Sequence, residues 1–84
     1  MEKKYKEPNK SEIETTINVL YEENILSIYT NKVNLQKQLY RILGEPKKEY
    51  IKRNLIFASV WEISLNEKSK ITQIMLKADI FELK

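Results

Sequence analysis

The side chains that carry most protein chemistry are few in this chain. Its 84 residues include no histidine and no cysteine, so neither a Ser-His nor a Cys-His nucleophile pair can be assembled. The same absence removes the usual ligands of a structural zinc and any disulfide framework. The one aspartate is Asp79, which leaves carboxylate acid–base chemistry to the glutamates. The adjacent pair Glu22-Glu23 stands in a polar break between two β-rich runs, where a solubilising turn is the simpler role. No run of oxygen ligands has the spacing of a calcium loop. A single glycine, Gly44, cannot build a phosphate-cradling loop. The chain is therefore read as a non-enzyme with no cofactor and no metal, acting by binding.

The residues left to do the binding are cations interleaved with aromatics: Lys37, Tyr40, Arg41, Lys47, Lys48, Tyr50, Lys52 and Arg53. Cations neutralise phosphates and release counterions, and tyrosine faces stack on bases. The net charge of +3 is unevenly placed, with +2 on residues 1–10, −4 on 11–30, +5 on 31–53 and zero on 54–84. Such asymmetry steers partners. The candidate surface is Lys37, Arg41, Lys47, Lys48, Tyr50, Lys52 and Arg53, for a protein partner or a nucleic acid. The plainer role is solubility, with Tyr40 and Tyr50 at the rim of a core. No helix-turn-helix or RNA-binding sheet motif is readable. Trp61, Phe57 and Tyr29 suit an interface, and core packing explains Trp61 and Phe57 equally well.

These residues need elements to hold them. From Ile13 the sequence alternates, with Ile13, Thr15, Ile17, Val19 and Tyr21 on one side and Glu14, Thr16, Asn18 and Glu22 on the other, which predicts a half-buried strand over 12–21. Glu22-Glu23-Asn24 is the turn, with Asn24 best able to take a positive φ. Ile25 to Tyr29 returns as the second strand of a hairpin, whose open edge could accept a strand from another chain. Thr30 or Asn31 then N-caps a helix over 32–43 whose stripe is Leu35, Leu39, Ile42 and Leu43. Gly44 supplies a left-handed C-terminal residue and Pro46 stops continuation. The charged stretch 45–54 is a connection with room for a short strand at 49–52. Leu55 to Leu65 is a strand apolar on both faces, with Leu55, Phe57, Trp61, Ile63 and Leu65 on one parity. Ser64 to Glu67 fits a capping box, opening a second helix over 66–78. The tail 79–84 continues that helix or forms a last strand. Leu76, Ile80 and Leu83 make a second, outward stripe that suits a partner or a self-dimer.

The expected fold is thus α+β, order ββαβα: a small antiparallel sheet, one hairpin plus at least one more strand, covered by two helices. Residues 1–11 read as a flexible basic tail and 12–84 as a single domain. The hairpin should give Ile13, Ile17, Val19, Leu26 and Ile28 to the core, and the helices Leu35, Leu39, Ile42, Ile71, Ile74 and Met75. No apolar run approaches the ~20 residues that span a bilayer, and the N-terminus lacks the apolar centre of a signal peptide, so a cytoplasmic protein with no membrane partner is expected.

At E-T-T-I-N, Glu14 to Asn18, and I-Y-T, Ile28 to Thr30, followed by a leucine-bearing helix, the chain resembles a group of small proteins carried by phages and prophages of Gram-positive bacteria. Trp61 to Ser64, W-E-I-S, stands where those have a Y-E-I-P-like strand. The likeness covers residues 12–65 and departs over 66–84. It implies a mobile-element origin and brings no activity with it. By analogy with small phage proteins that lack catalytic residues, the expected role is stoichiometric inhibition of a host defence complex, as anti-CRISPR proteins do, with a host protein or ribonucleoprotein as partner. Direct nucleic-acid binding and a structural homodimer are the alternatives.

Overall fold

The computed structural model describes residues 2–78 and Ile80. In chain order its elements are β1 (Thr15–Leu20), β2 (Ile25–Thr30), α1 (Val33–Leu43), β3 (Lys48–Lys52), β4 (Leu55–Ser64) and α2 (Lys68–Lys77). The strands form one antiparallel sheet in the order β1-β2-β4-β3. The α+β architecture expected from the sequence is present, with β3 added to give ββαββα.

The β1–β2 hairpin pairs Thr15 with Thr30 through to Leu20 with Ile25. Asn24 takes the positive φ of its turn, +58°. Period-two alternation sends Leu26, Ile28 and Thr30 of β2 to one face, where they are buried. Leu26, Ile28, Trp61 and Ile63 on the sheet close over Leu35 and Leu39 of α1 and Ile74 of α2 in a single core. Both helices lie on that face. Ile17, Ile42, Leu43 and Ile71 pack around its margin. Ile13, Val19 and Met75, expected in the core, are 38%, 43% and 43% exposed: Ile13 and Val19 lie before and on β1, an edge strand, and on α2 it is Ile74 that is buried, not Met75.

The ends of the helices differ from the sequence reading in a consistent way. Neither Thr30 nor Asn31 caps α1, whose N-cap is Lys32 with no side-chain cap bond. Both side chains serve the hairpin instead. Thr30 Oγ1 lies 2.8 Å from Thr15 Oγ1 and accepts from the Lys32 N–H at 3.1 Å. Asn31 accepts from the Glu14 N–H and donates to the Glu12 carbonyl, both at 2.8 Å. The Ser64–Glu67 capping box does not form either: Ser64 Oγ accepts from the Asn66 N–H at 3.1 Å, a Ser turn that leads into α2 at Lys68. Gly44 has a positive φ of +84°, but its ψ of −152° makes it extended rather than left-handed helical, a region that only glycine occupies comfortably. Its carbonyl accepts from the Trp61 indole N–H at 3.0 Å, which ties the end of α1 to β4.

β3 and β4 are joined by a two-residue turn, Arg53 and Asn54, both at positive φ (+53° and +66°), the geometry of a tight hairpin. Their register slips between Tyr50, opposite Ala58, and Ile51, opposite Ile56, so Phe57 is an unpaired bulge residue. The bulge splits the expected apolar parity of β4. Trp61 and Ile63 keep to the core, whereas Phe57 turns to the other face.

Residues 1–11 read as a flexible tail, yet within them Lys3 to Lys6 pack against the domain. Pairing of β2 with β4 stops at Thr30 and Ser59, and the edge of β4 beyond that point is taken by the N-terminal segment. Tyr5 bridges Ile56 in parallel, with Lys6 N–H to Ile56 carbonyl at 2.8 Å and Ile56 N–H to Lys4 carbonyl at 2.9 Å. A single 3-10 turn, Lys10–Glu12, leads into the sheet. Among the described residues no helix is long and apolar enough to cross a membrane. The choice between helix and strand for the C-terminal tail falls largely outside the described residues.

Candidate binding surface

The sheet face opposite the helices carries, in register, Thr16, Tyr29, Val60 and Lys48 in one row and Ala58 beside Tyr50 in the next. The bulge adds Phe57 to them. Three rings result: Tyr29 and Tyr50 meet edge to face with centroids 6.1 Å apart, and Tyr50 and Phe57 lie 5.9 Å apart. Such spacings are those of attractive aromatic pairs. Tyr29 and Tyr50 are half-buried, and Phe57 is 37% exposed. Burial, reinforced by the charge of Glu14, holds the Tyr29 phenol above its ordinary pKa, so it stays a neutral donor.

Cations rim this row. Lys48 Nζ sits 4.7 Å from the centre of the Tyr50 ring, a cation–π contact. Two shallow depressions flank Phe57 and share Lys6. One is lined by Lys6, Lys52, Arg53, Leu55 and Phe57. The other runs past Tyr29 and Asn31 toward Glu7 and Glu12. The face is thus basic at the β3–β4 turn and acidic at the entry to β1. Lys6, Lys52 and Arg53 have no ion-pair partner among the described residues.

The seven residues singled out from the sequence do not form one surface. Lys48, Tyr50, Lys52 and Arg53 belong to the aromatic face and its rim. Lys47 is held by Glu62 at 2.8 Å, an exposed pair of little energetic weight. Lys37 and Arg41 stand on α1 in a separate hollow with Glu2, Lys3, Tyr5 and Tyr40, where Lys37 Nζ lies 6.0 Å from the Tyr5 ring centre. Tyr29 and Phe57, which suit an interface by type, join this surface from outside the seven residues first grouped, and Lys6 was not singled out at all. Tyr29 was legible from the alternation of β2; Phe57 and Lys6 reach the face only through a bulge and a strand-edge contact, neither of which leaves a signature in composition.

The second stripe is also rearranged. Leu76 is 78% exposed, as an outward residue should be, but Ile80 packs against the core. Leu83 lies outside the described residues. Among the described residues no three His, Cys, Asp or Glu side chains gather in metal-binding geometry. Compared with protein families, with curated proteins and with solved structures, the chain matches none.

Proposed function

We propose that this chain is a non-catalytic binding protein whose working surface is the helix-free face of its sheet, and that this face takes the exposed bases of a single-stranded nucleic acid. The observation that carries the reading is the Tyr29–Tyr50–Phe57 row rimmed by Lys6, Lys48, Lys52 and Arg53. Aromatic faces stack bases of any identity, and the neighbouring cations neutralise the linking phosphates. The expected setting is a bacterial cytoplasm, where the strand is presented free or within a host ribonucleoprotein.

Fluorescence anisotropy of labelled oligo-dT and oligo-U tests this directly. Binding should weaken steeply with added salt. Phe57→Ala and Tyr50→Ala should each weaken it by about 5- to 160-fold, the range of one lost base stack. Lys52→Gln should lower the salt slope by about one. Binding that ignores both the rings and the salt would refute the proposal.

A second reading is a phage-borne inhibitor that occupies a host defence complex stoichiometrically. Its support is the resemblance read from the E-T-T-I-N and I-Y-T motifs of residues 14–18 and 28–30. The two part in a pull-down from bacterial lysate: a protein partner that survives nuclease treatment favours the inhibitor, and loss of every partner favours direct nucleic-acid binding.

A further inference from the structure

The two edges of the sheet are built differently. β3 carries Lys48, Glu49 and Lys52 and lies against the bulge in β4, devices that keep an edge from recruiting another strand. β1 reads T-T-I-N-V-L, with no charge, no proline and an unbroken register. The hydrogen bonds show which of its backbone groups look outward. Asn31 N–H donates to the Glu14 carbonyl at 3.2 Å, so Glu14 and Asn31 form a bonded pair. Alternation along an antiparallel ladder then bonds Thr16 to Tyr29, Asn18 to Ser27 and Leu20 to Ile25. The 2.8 Å contact between Thr15 Oγ1 and Thr30 Oγ1 agrees, because non-bonded pairs bring their side chains closer. The N–H and C=O of Thr15, Ile17 and Val19 therefore point away from β2.

Exposed apolar side chains gather along the same edge: Ile13 at 38%, Val19 at 43%, Leu20 at 39% and Tyr21 at 82%. We propose that β1 pairs antiparallel with β1 of a second copy of this chain, about a two-fold axis through Ile17, so that two four-stranded sheets become one. In that register Thr15 stands opposite Val19 of the second copy, Thr16 opposite Asn18, and Ile13 opposite Tyr21. Every outward N–H and C=O meets its complement, and exposed Ile13 covers exposed Tyr21. Glu14 is the only charge between residues 13 and 21. It meets Leu20, so no like charges meet within the paired segment; the first to face each other lie beyond its ends, Glu12 and Glu22, in the 3-10 turn before β1 and the turn after it. Self-pairing suits this segment because its side-chain pattern answers itself under a two-fold rotation, which is what an isologous interface requires. The axis is perpendicular to the sheet and leaves both aromatic rows on the same side. Such a dimer forms whatever those rows bind.

Sedimentation of the full chain over a concentration series tests it. The wild-type mass should rise from 10.1 kDa toward twice that value. Val19→Pro removes an outward N–H and leaves every β1–β2 bond in place, and Val19→Lys puts a charge on an exposed edge position. Both should stay at the monomer mass with an unchanged far-UV circular dichroism spectrum; the lysine variant decides the matter if the proline variant fails to fold. Because the chain has no cysteine, a mixture of Thr16→Cys and Asn18→Cys variants reports the register, and it should oxidise to a disulfide-linked dimer faster than either variant alone. A wild-type mass fixed at that of the monomer up to millimolar concentration overturns the proposal, as does dimerisation that persists in both Val19 variants, or a mixture that cross-links no faster than its parts.

Discussion

Gln36 has no solvent exposure, and only one end of its amide is satisfied. Its Oε1 accepts from Ser59 Oγ at 2.7 Å, while Nε2 has no partner. Turning the amide over would let Nε2 donate to Ser59 and orphan the oxygen instead, so one polar atom is stranded in either orientation. The pair joins α1 to β4 and, with Thr30, makes up the buried polar side chains among the described residues. Ser59→Ala alone leaves the buried amide without its one bond and should cost about 1–3 kcal/mol. Adding Gln36→Leu removes both polar groups together and should return stability to near the wild-type value. A double-mutant cycle by urea unfolding checks this, with a coupling energy of about 1–2 kcal/mol expected between the two sites.

At the scale of elements, the tightest constraint is the β3–β4 turn. Two consecutive positive-φ residues favour Asn-Gly or Asp-Gly, yet the first of them here is Arg53. A long side chain in that conformation costs about 1–2 kcal/mol relative to glycine. Arg53→Asn should therefore raise the unfolding midpoint by about 1 kcal/mol of stability. The same change removes a cation from the depression beside Phe57, so it should weaken oligonucleotide binding as it stabilises the fold. A variant that gained stability and kept full affinity and salt slope would separate Arg53 from the surface. Local rules broken without compensation cluster at working sites, and this turn was the feature hardest to read in advance. The hairpin, α1 and the core residues Leu26, Ile28, Leu35, Leu39 and Ile74 were legible because periodicity and burial agree there. β3 was barely legible, since its lysines and glutamate suit a solvated edge as well as a loop. Phe57 was misplaced because a bulge inserts one residue without glycine or proline to mark it. Thr30, Asn31 and Ser64 are cap formers by type, but hairpin and turn bonds claimed them first.

For the molecule as a whole, the N-terminal segment acts as a strap across three elements. Lys3 Nζ lies 2.6 Å from Glu49 of β3, 2.9 Å from Glu45 after α1, and 5.1 Å from the ring centre of Tyr40 on α1. Tyr5 continues the strap onto β4 through Ile56. The hydrogen bond to Glu49, with that to Glu45, raises the Lys3 pKa above its ordinary 10.5 against the opposing effect of burial. The hydrogen bond from Lys3 lowers the Glu45 pKa below its ordinary 4.5. A raised lysine contributes stability that is complete below 10.5 and is lost as pH climbs through the folded-state value. A lowered glutamate contributes stability that is complete above 4.5 and is lost as pH falls through its folded-state value. The stability gap between wild type and Lys3→Gln should accordingly be flat across the neutral range, begin to narrow as pH rises above about 10.5, and narrow as pH falls below about 4.5 by the part that Glu45 contributes. Urea midpoints for the two proteins measured from pH 3 to pH 11 check this. A gap that stays constant throughout would mean that Lys3 contributes packing alone, and that the strap is held by the Tyr5–Ile56 bridge without help from charge.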